Sequence, residues 1–379
     1  MTKIRVLIFL STLLIVGVLG IFASYYARGY RFSLKTFEFL PNGILVIKSE
    51  PDGASVLING ELKTATNTTL SLAPGVYDVE VKKEGFLPWY KRLTIEKEIV
   101  TQASVSLFKT LPALSPITFS GAENPIISPD NSKIAFIDKD GLWIIDIINL
   151  PLGFGRDPRK ITDGNLQNST YEFSPDARQI LVTTSNSIFL LDTDSFTPQG
   201  QRINIASMVD NIKSTWLKEK QVFTSSLLSN FPAQLADIFL NKADDLIFSP
   251  DETMILYTAS DAAILPENLV KGLPGSSTQK QERDLKIGHK YIYDIKEDRN
   301  FLITNSDIVP HWMPTSRHIL LAEENKVIIM DYDGTNRQIV YSGSYIAPFA
   351  YPFSNTSKLL ILTSLGSESA PNLYSVTIK

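Results

Sequence analysis

The pattern of apolar and polar positions separates one long apolar run from many short alternating segments. Residues 6–27 carry no charged side chain, and Lys3 and Arg5 stand just before them. At ~1.5 Å rise per residue, a helix of this length measures roughly 33 Å, which is enough to cross a hydrocarbon layer of ~30 Å. The run therefore predicts a transmembrane anchor over residues 1–28.

Two other interpretations of this run fit less well. A buried core helix would show a polar face, whereas the run offers only Ser11 and Thr12. A cleaved signal peptide has an apolar region of about 7 to 15 residues that ends at small residues. This run is longer, and Ile21-Phe22-Ala23 fits the required spacing of two small residues around a free position poorly. We predict an uncleaved anchor and keep cleavage as the alternative.

The charges that flank the run lie on both sides and leave its orientation open. Lys3 and Arg5 precede it, and Arg28, Arg31 and Lys35 follow it. Long domains translocate largely regardless of nearby charge. We therefore predict a single-pass cell-membrane protein with a cytoplasmic N-terminus and the bulk of the chain outside.

Short alternating strands begin after a polar and aromatic spacer at residues 29–42. One strand is predicted at Ile44 to Lys48 and another at Ala54 to Ile58. The second is followed by Asn59-Gly60, the dipeptide that best suits a type I′ hairpin turn because both positions accept positive φ. Residues 43–110 therefore predict a small antiparallel β-sandwich.

Motifs in this segment resemble a known family. They are Pro51 to Gly60, Leu72 to Val81 and Lys83 to Phe86. Together they resemble a PEGA domain, named for a Pro-Glu-Gly-Ala tetrapeptide, with Asp52 where the name has glutamate. The resemblance implies a surface or envelope module and transfers no catalytic residue.

A repeat begins after a stiff linker at residues 111–116. Three clear copies open with Ser-Pro-Asp and continue into an apolar strand, and three weaker copies keep the apolar part. The clear copies start at Ser128, Ser174 and Ser249, and the weaker ones at Trp216, Trp312 and Phe353. Several of the intervals are close to the roughly 40 to 45 residues of a four-stranded propeller blade.

The repeat predicts a six-bladed β-propeller over residues 117–379, with its last blade completed by a strand at Ile117 to Phe119. The Ser-Pro-Asp turns, paired with Asp-x-Asp-Gly turns such as that at Asp331, resemble the propeller repeats of TolB and of the N-terminal domain of dipeptidyl-peptidase IV-like proteins. The predicted fold class is thus all-β apart from one N-terminal transmembrane helix, with a small β-sandwich followed by a propeller.

Two groups of residues are candidates for partner binding. The first is the aromatic cluster Phe86, Trp89 and Tyr90, for which packing within the sandwich is the alternative. The second lies in a long polar loop at about residues 261–288, which interrupts the repeat and could be only a tolerated insertion. The loop residues singled out for binding are Ser277, Gln279, Lys280 and Arg283.

Amino-acid composition limits the partners, metals and cofactors that are expected for this chain. After residue 35 the chain holds 31 basic and 40 acidic residues, a net charge of −9, which disfavours nucleic acid as a partner. There is no cysteine and there are three histidines, so we expect no metal and no cofactor. Asp130, Asp176 and Asp251 are expected to serve their own turns.

The combined prediction is a non-catalytic, membrane-anchored envelope protein that binds or scaffolds an envelope protein or polysaccharide. We expect no catalytic residue, because the sequence lacks the motifs of nucleophilic, phosphate-binding and zinc enzymes. One alternative is a propeller hydrolase or lyase that acts outside the membrane. A second is a single-pass sensor.

Overall fold

The computed structural model describes residues 2–27, 29–33, 38–147, 157–229, 231–269, 277, 279–353, 356–365 and 370–379. The chain separates into two compact units. Unit 1 comprises Met1–Leu107 and Gly272–Lys280, and unit 2 comprises Phe108–Lys271 and Gln281–Lys379. Strands dominate both units, which confirms the mostly β class.

The N-terminal helix α1 spans Thr2–Ala27. Its segment Ile4–Ala27 has a mean hydropathy of 2.8 and no buried side chain, so it is long and apolar enough to cross a membrane. The hydroxyls of Ser11 and Thr12 both donate to the carbonyl oxygen of Ile8, at 2.9 and 2.8 Å. These bonds satisfy both polar side chains inside the helix, as an apolar surrounding requires.

In its described residues, unit 1 continues with nine strands. They are β1 (Tyr30–Ser33), β2 (Glu38–Pro41), β3 (Gly43–Glu50), β4 (Ser55–Ile58), β5 (Glu61–Ala65), β6 (Thr68–Leu72), β7 (Gly75–Lys82), β8 (Trp89–Ile95) and β9 (Val100–Ser106). Strands β1 and β2 form a hairpin, and the others form the sheets β6-β3-β9 and β5-β4-β7-β8. One core fills the space between these two sheets and includes Leu45, Ile47, Val56, Val81 and Val105.

Two details of this sandwich bear on the sequence predictions. Asn59 and Gly60 have φ angles of 52° and 81°, which are the positive values that a type I′ turn needs. The sandwich is not wholly antiparallel, because β3 and β9 pair in parallel. Alternation of side chains is the same in both kinds of pairing, so the residue pattern could not reveal this.

The part of unit 2 that the structure describes holds the remaining strands and two α-helices. In chain order they are β10 (Ala113–Pro116), β11 (Glu123–Ile127), β12 (Lys133–Asp138), β13 (Gly141–Asp146), β14 (Arg159–Asp163), β15 (Thr170–Phe173), β16 (Gln179–Thr183), β17 (Ile188–Asp192), α2 (Val209–Leu228), α3 (Ala233–Asn241), β18 (Ala243–Phe248), β19 (Met254–Ala259), β20 (Ala263–Ile264), β21 (Asp284–Leu285), β22 (Lys290–Asp294), β23 (Arg299–Thr304), β24 (His311–Trp312), β25 (His318–Glu323), β26 (Lys326–Asp331), β27 (Gln338–Ser342), β28 (Ala350–Phe353), β29 (Lys358–Thr363) and β30 (Asn372–Thr377). Short 3₁₀ turns lie at Gln199–Gln201 and Ala206–Met208.

Five antiparallel sheets of three or four strands occur in the described part of unit 2. We number them sheet I (β11-β12-β13-β14), sheet II (β15-β16-β17), sheet III (β18-β19-β22-β23), sheet IV (β24-β25-β26-β27) and sheet V (β10-β30-β29-β28). Strands β20 and β21 pair separately. In each numbered sheet the strands keep their order along the chain, as in propeller blades, except that β10 is added to sheet V from the other end of the unit and that β20 and β21 lie between two strands of sheet III.

The strand that completes sheet V lies slightly before the predicted one. Ala113–Pro116 pairs with β30, opposite residues 374–377. Ile117, at the start of the predicted strand, contributes its N–H to the oxygen of Leu373 at 2.8 Å. This pairing covers the outer edge of β30 and joins the two ends of unit 2.

Apolar clusters between the sheets place them in the order III, IV, V, I, II. The cluster between V and I includes Leu360 and Phe136, that between I and II includes Ile144 and Val182, and that between III and IV includes Leu256 and Ile328. Sheets IV and V meet where the rings of His311 and Tyr351 lie 5.2 Å apart. The two helices lie in the chain between sheets II and III, the two ends of this order.

The predicted sixth repeat at Trp216 is wrong, because this segment is part of helix α2. Val209, Ile212, Trp216 and Phe223 follow helical spacing, and the place of the expected turn is taken by Leu-Lys-Glu-Lys, four good helix formers. Lys213 of α2 forms an ion pair with Glu172 of sheet II, Nζ to Oε1, at 2.6 Å. The count of six blades therefore has no support from this copy.

Helix α3 covers the free face of sheet III. Leu235, Ile238 and Phe239 are buried there against Tyr257 and Tyr293. The ring of Phe239 meets those of Tyr257 and Tyr293 edge to face, at 5.1 and 5.6 Å. Burial of these apolar side chains gives the short helix α3 its stability.

We expect Phe239→Ala to lower the free energy of unfolding by about 3–5 kcal/mol, because it leaves a cavity beside the rings of Tyr257 and Tyr293. The matched control is Leu240→Ala, since Leu240 is 52% exposed. We expect this control to cost under about 0.5 kcal/mol. Urea unfolding of both variants measures the difference, and equal losses would contradict the packing of α3.

Candidate functional site

The Ser-Pro-Asp turns use their polar groups internally. In each turn the serine hydroxyl donates to the aspartate Oδ1, at 2.6 Å for Ser128 and Asp130. The same Oδ1 of Asp130 accepts the N–H of Ser132 at 3.0 Å, and the Ser128 hydroxyl accepts the N–H of Lys133 at 2.9 Å. These carboxylates therefore hold their own turns, as the sequence predicted.

The second and third copies repeat this arrangement. Ser174 donates to Asp176 at 2.6 Å and Ser249 to Asp251 at 2.7 Å. The hydrogen bond from Ser174 is the main cause that lowers the pKa of Asp176 below its usual value, against a smaller opposing effect of burial. A carboxylate engaged in this way stays ionised and bonded to its own turn.

Other buried polar groups tie one sheet to the next. The Nζ of Lys133 in sheet I donates hydrogen bonds to Thr193 Oγ1 at 2.7 Å and to Asp194 Oδ1 at 3.0 Å. Both acceptors directly follow β17, the last strand of sheet II. The hydroxyl of Tyr351 in sheet V donates to the oxygen of Pro125 in sheet I at 2.7 Å. Such bonds explain polar residues in the repeat without a catalytic role.

The aromatic cluster of unit 1 does not form a single surface patch. Trp89 is 3% exposed and belongs to the core of the sandwich, and Phe86 packs partly against that core. Tyr90 is exposed, and its hydroxyl donates to Glu80 Oε1 at 3.0 Å. This corrects the expectation for Trp89, because adjacent residues of a strand point to opposite faces and only Tyr90 points outward.

The long loop has more structure at its ends than the sequence predicted. Strands β20 and β21 pair Ala263 with Leu285 and Ile264 with Asp284, so residues 261–288 include a short ladder. Of the candidate residues, Lys280 is exposed. Gln279 donates from Nε2 to the backbone oxygen of Arg92 at 2.6 Å.

Ser277, the remaining polar candidate of the loop, is half-buried. Residues 270–276 and 278, which the predicted loop also includes, lie outside the described residues. The partner-binding role of Ser277, Gln279 and Lys280 stays a prediction.

Arg283 is a buried anchor and not a surface residue. Its side chain is 10% exposed and forms an ion pair with Asp298, which is 5% exposed, with Nη2 and Oδ1 3.0 Å apart. Asp298 Oδ2 also accepts the N–H of Leu269 at 2.9 Å, so the carboxylate holds both ends of the loop. Sequence reasoning missed this, because the partner comes from a later turn.

Tyr293 completes the polar cluster around Asp298. Its hydroxyl donates to Asp298 Oδ1 at 2.7 Å. Burial, and then the hydrogen bond to Asp298, raise the pKa of Tyr293 far above its usual value. The carboxylate of Asp298 is therefore surrounded by donors, which compensates its removal from water.

The two histidines of sheet IV lie in different surroundings. His311 is half-buried, and burial lowers its pKa to about 4. His318 is buried, with its Nδ1 2.9 Å from Thr315 Oγ1 and its Nε2 3.7 Å from Asp331 Oδ1. Within the described residues, no group of three or more histidine and acidic side chains is placed to hold a metal ion.

Comparison with known families identifies one segment of the chain. The family model of the PEGA domain matches residues 42–111, which confirms the resemblance found in the motifs. No curated protein shows a significant match to the chain.

Comparison with solved structures finds weak similarity to TolB structures and to a β-propeller domain. A protein assigned as TolB from Agrobacterium tumefaciens is 14% identical, with 66% of this chain and 76% of that chain covered and a TM-score of 0.23. TolB from Acinetobacter baumannii is 14% identical, with 80% and 60% covered and a TM-score of 0.25. The β-propeller domain of Cps50 (Swd1) from Myceliophteria thermophila is 10% identical, with 66% and 65% covered and a TM-score of 0.20. Because these similarities are low, the fold of unit 2 is described from the sheets of this structure alone.

We expect Arg283→Met to cost about 3–5 kcal/mol of unfolding free energy, because it leaves the Asp298 carboxylate buried without its cation. The matched control is Lys280→Met, an exposed lysine of the same loop, which should change stability by under about 0.5 kcal/mol. Chemical unfolding measures both, and an Arg283 variant as stable as the control would contradict the anchor.

We expect stability to fall as the pH decreases from 6.5 towards 4, with a contribution from His311. Its pKa of about 4 in the folded state lies below the unfolded value of about 6.5, so the unfolded state binds the proton first. The His311→Phe variant should lose part of this dependence in urea unfolding followed at several pH values. An unchanged slope would show that His311 titrates normally.

Proposed function

We propose that this chain is a non-catalytic, single-pass envelope protein whose two β units lie outside the membrane and bind or scaffold envelope partners. The observation that carries the proposal is the order of the structural elements along the chain. A helix of membrane-spanning length with no buried side chain is followed by the hairpin β1-β2, by a PEGA domain and then by antiparallel sheets. The apolar helix is long enough to anchor the chain in a membrane, and the β units provide surfaces for the binding of partners.

The use of polar residues in unit 2 supports a binding role over catalysis. The repeated aspartates bond to their own turns, Lys133 and Tyr351 link neighbouring sheets, and the ion pair of Arg283 holds a loop. Each of these groups has a structural partner. The proposed partners are an envelope protein or polysaccharide, because the negative charge of the chain beyond residue 35 repels nucleic acid.

Thiol labelling of intact cells tests the topology, because the chain has no cysteine of its own. Ser185 is exposed in the turn between β16 and β17, and we expect Ser185→Cys to react with a membrane-impermeant maleimide before lysis. Thr2→Cys is the matched control at the other end of α1 and should react only after lysis. The opposite pattern would place the β units in the cytoplasm.

Affinity capture and activity assays test the binding role. The full chain in detergent, cross-linked to native envelope extract, should retain a specific protein or polysaccharide. Turnover in a panel of hydrolase and lyase substrates, with nothing retained, would favour the enzyme instead.

A further inference from the structure

Sheet II has no strand on the outer side of its third strand, β17, within the described residues. In the other four numbered sheets this place is filled, by β14, β23, β27 and β10. In sheet V the filling strand comes from the opposite end of the unit, so a fourth strand need not be adjacent in the chain.

The residues of β17 are those of a covered strand. Ile-Phe-Leu-Leu-Asp in β17 resembles Leu-Trp-Ile-Ile-Asp in β13 and Val-Ile-Ile-Met-Asp in β26, both of which lie between two neighbours. In β17, Ile188, Phe189 and Leu190 are only half-buried. An apolar strand at an open sheet edge is a surface that favours the addition of another strand.

Alternate residues of β17 point their backbone groups away from β16, and at two of them these groups have no backbone partner within the described residues. The N–H of Thr193 donates to the oxygen of Arg178, so these two residues form a hydrogen-bonded pair of the antiparallel ladder. Bonded and non-bonded pairs alternate along such a ladder. Ile188, Leu190 and Asp192 therefore stand in non-bonded pairs with β16. Their N–H and C=O groups therefore face away from β16. Within the described residues, those of Leu190 and Asp192 have no backbone partner.

In the part of the chain that the structure describes, only the first position of this edge is occupied. Ile205 donates its N–H to the oxygen of Ile188 at 2.8 Å, and the N–H of Ile188 donates to Asn204 Oδ1 at 3.1 Å. The chain then turns into the 3₁₀ segment Ala206–Met208 and into α2. Among the described residues, none forms a backbone hydrogen bond with the rest of the edge, at Leu190 and Asp192.

A positively charged group borders the edge. The guanidinium of Arg202 lies 5.2 Å over the ring of Phe189. An incoming segment without a positive charge suits this surrounding.

We propose that the outer edge of β17 binds an extended peptide segment of a partner protein, which adds to sheet II as its fourth strand. The partner is apolar at alternate positions, neutral or acidic, and free of proline at its bonded positions. Its backbone pairs with Leu190 and Asp192. This inference rests on the proposed binding role and names the class of partner.

A displayed library of extended heptapeptides, selected on the full chain in detergent, tests the proposal. Enriched peptides should protect the amides of Leu190 and Asp192 from hydrogen exchange in the unmodified protein. Leu190→Lys should weaken their binding at least 10-fold. Ile339→Lys is the matched control, because Ile339 is an exposed apolar residue of the outer strand β27, and it should leave binding unchanged.

The absence of any enriched peptide would overturn the proposal, as would enriched peptides that leave both amides unprotected. Equal binding to the Leu190→Lys variant, shown by circular dichroism to be folded, would also overturn it. These results do not affect the topology test, so failure of this proposal can be told apart from failure of the envelope role.

Discussion

Face-to-face packing of sheets through apolar side chains is the interaction on which unit 2 depends. Each buried strand contributes residues to two neighbouring layers: in β12, Ile134 and Phe136 face sheet V while Ala135 and Ile137 face sheet II. This alternation lets one strand serve two interfaces. The addition of β10 to sheet V then joins the ends of the unit, so that sheets V and I, far apart in sequence, become neighbours.

Polar residues are arranged around this apolar packing. The Ser-Pro-Asp turns satisfy their own backbone groups, and side chains such as Lys133 and Tyr351 bond across the interfaces between sheets. The ion pair of Arg283 and Asp298 shows the same principle at a loop. A charge removed from water needs partners from all sides, and these come from segments that are not adjacent in the chain.

Local patterns predicted the parts of the fold that local physics controls. The positive φ of Asn59 and Gly60, the internal bonds of Asp130 and the apolar helix α1 each follow from a few neighbouring residues. The prediction of a sixth repeat was wrong because its segment lacks such a local signal. Its match at Trp216 rested on aromatic and apolar positions, without the Ser-Pro-Asp turn that specifies a strand pair, and helical spacing and propensity prevailed.

The sequence alone thus determined the membrane-length helix, the PEGA domain and the repeating β units, because turns and periodicity are local properties. Only the tertiary structure decided which polar and aromatic residues remain accessible. It buried Trp89 and Arg283 and left the apolar strand β17 at a sheet edge. Accessibility depends on which segments pack together in the folded chain. The residue pattern of β17 is the same whether or not another strand lies beside it, so the sequence does not show that β17 is an edge strand.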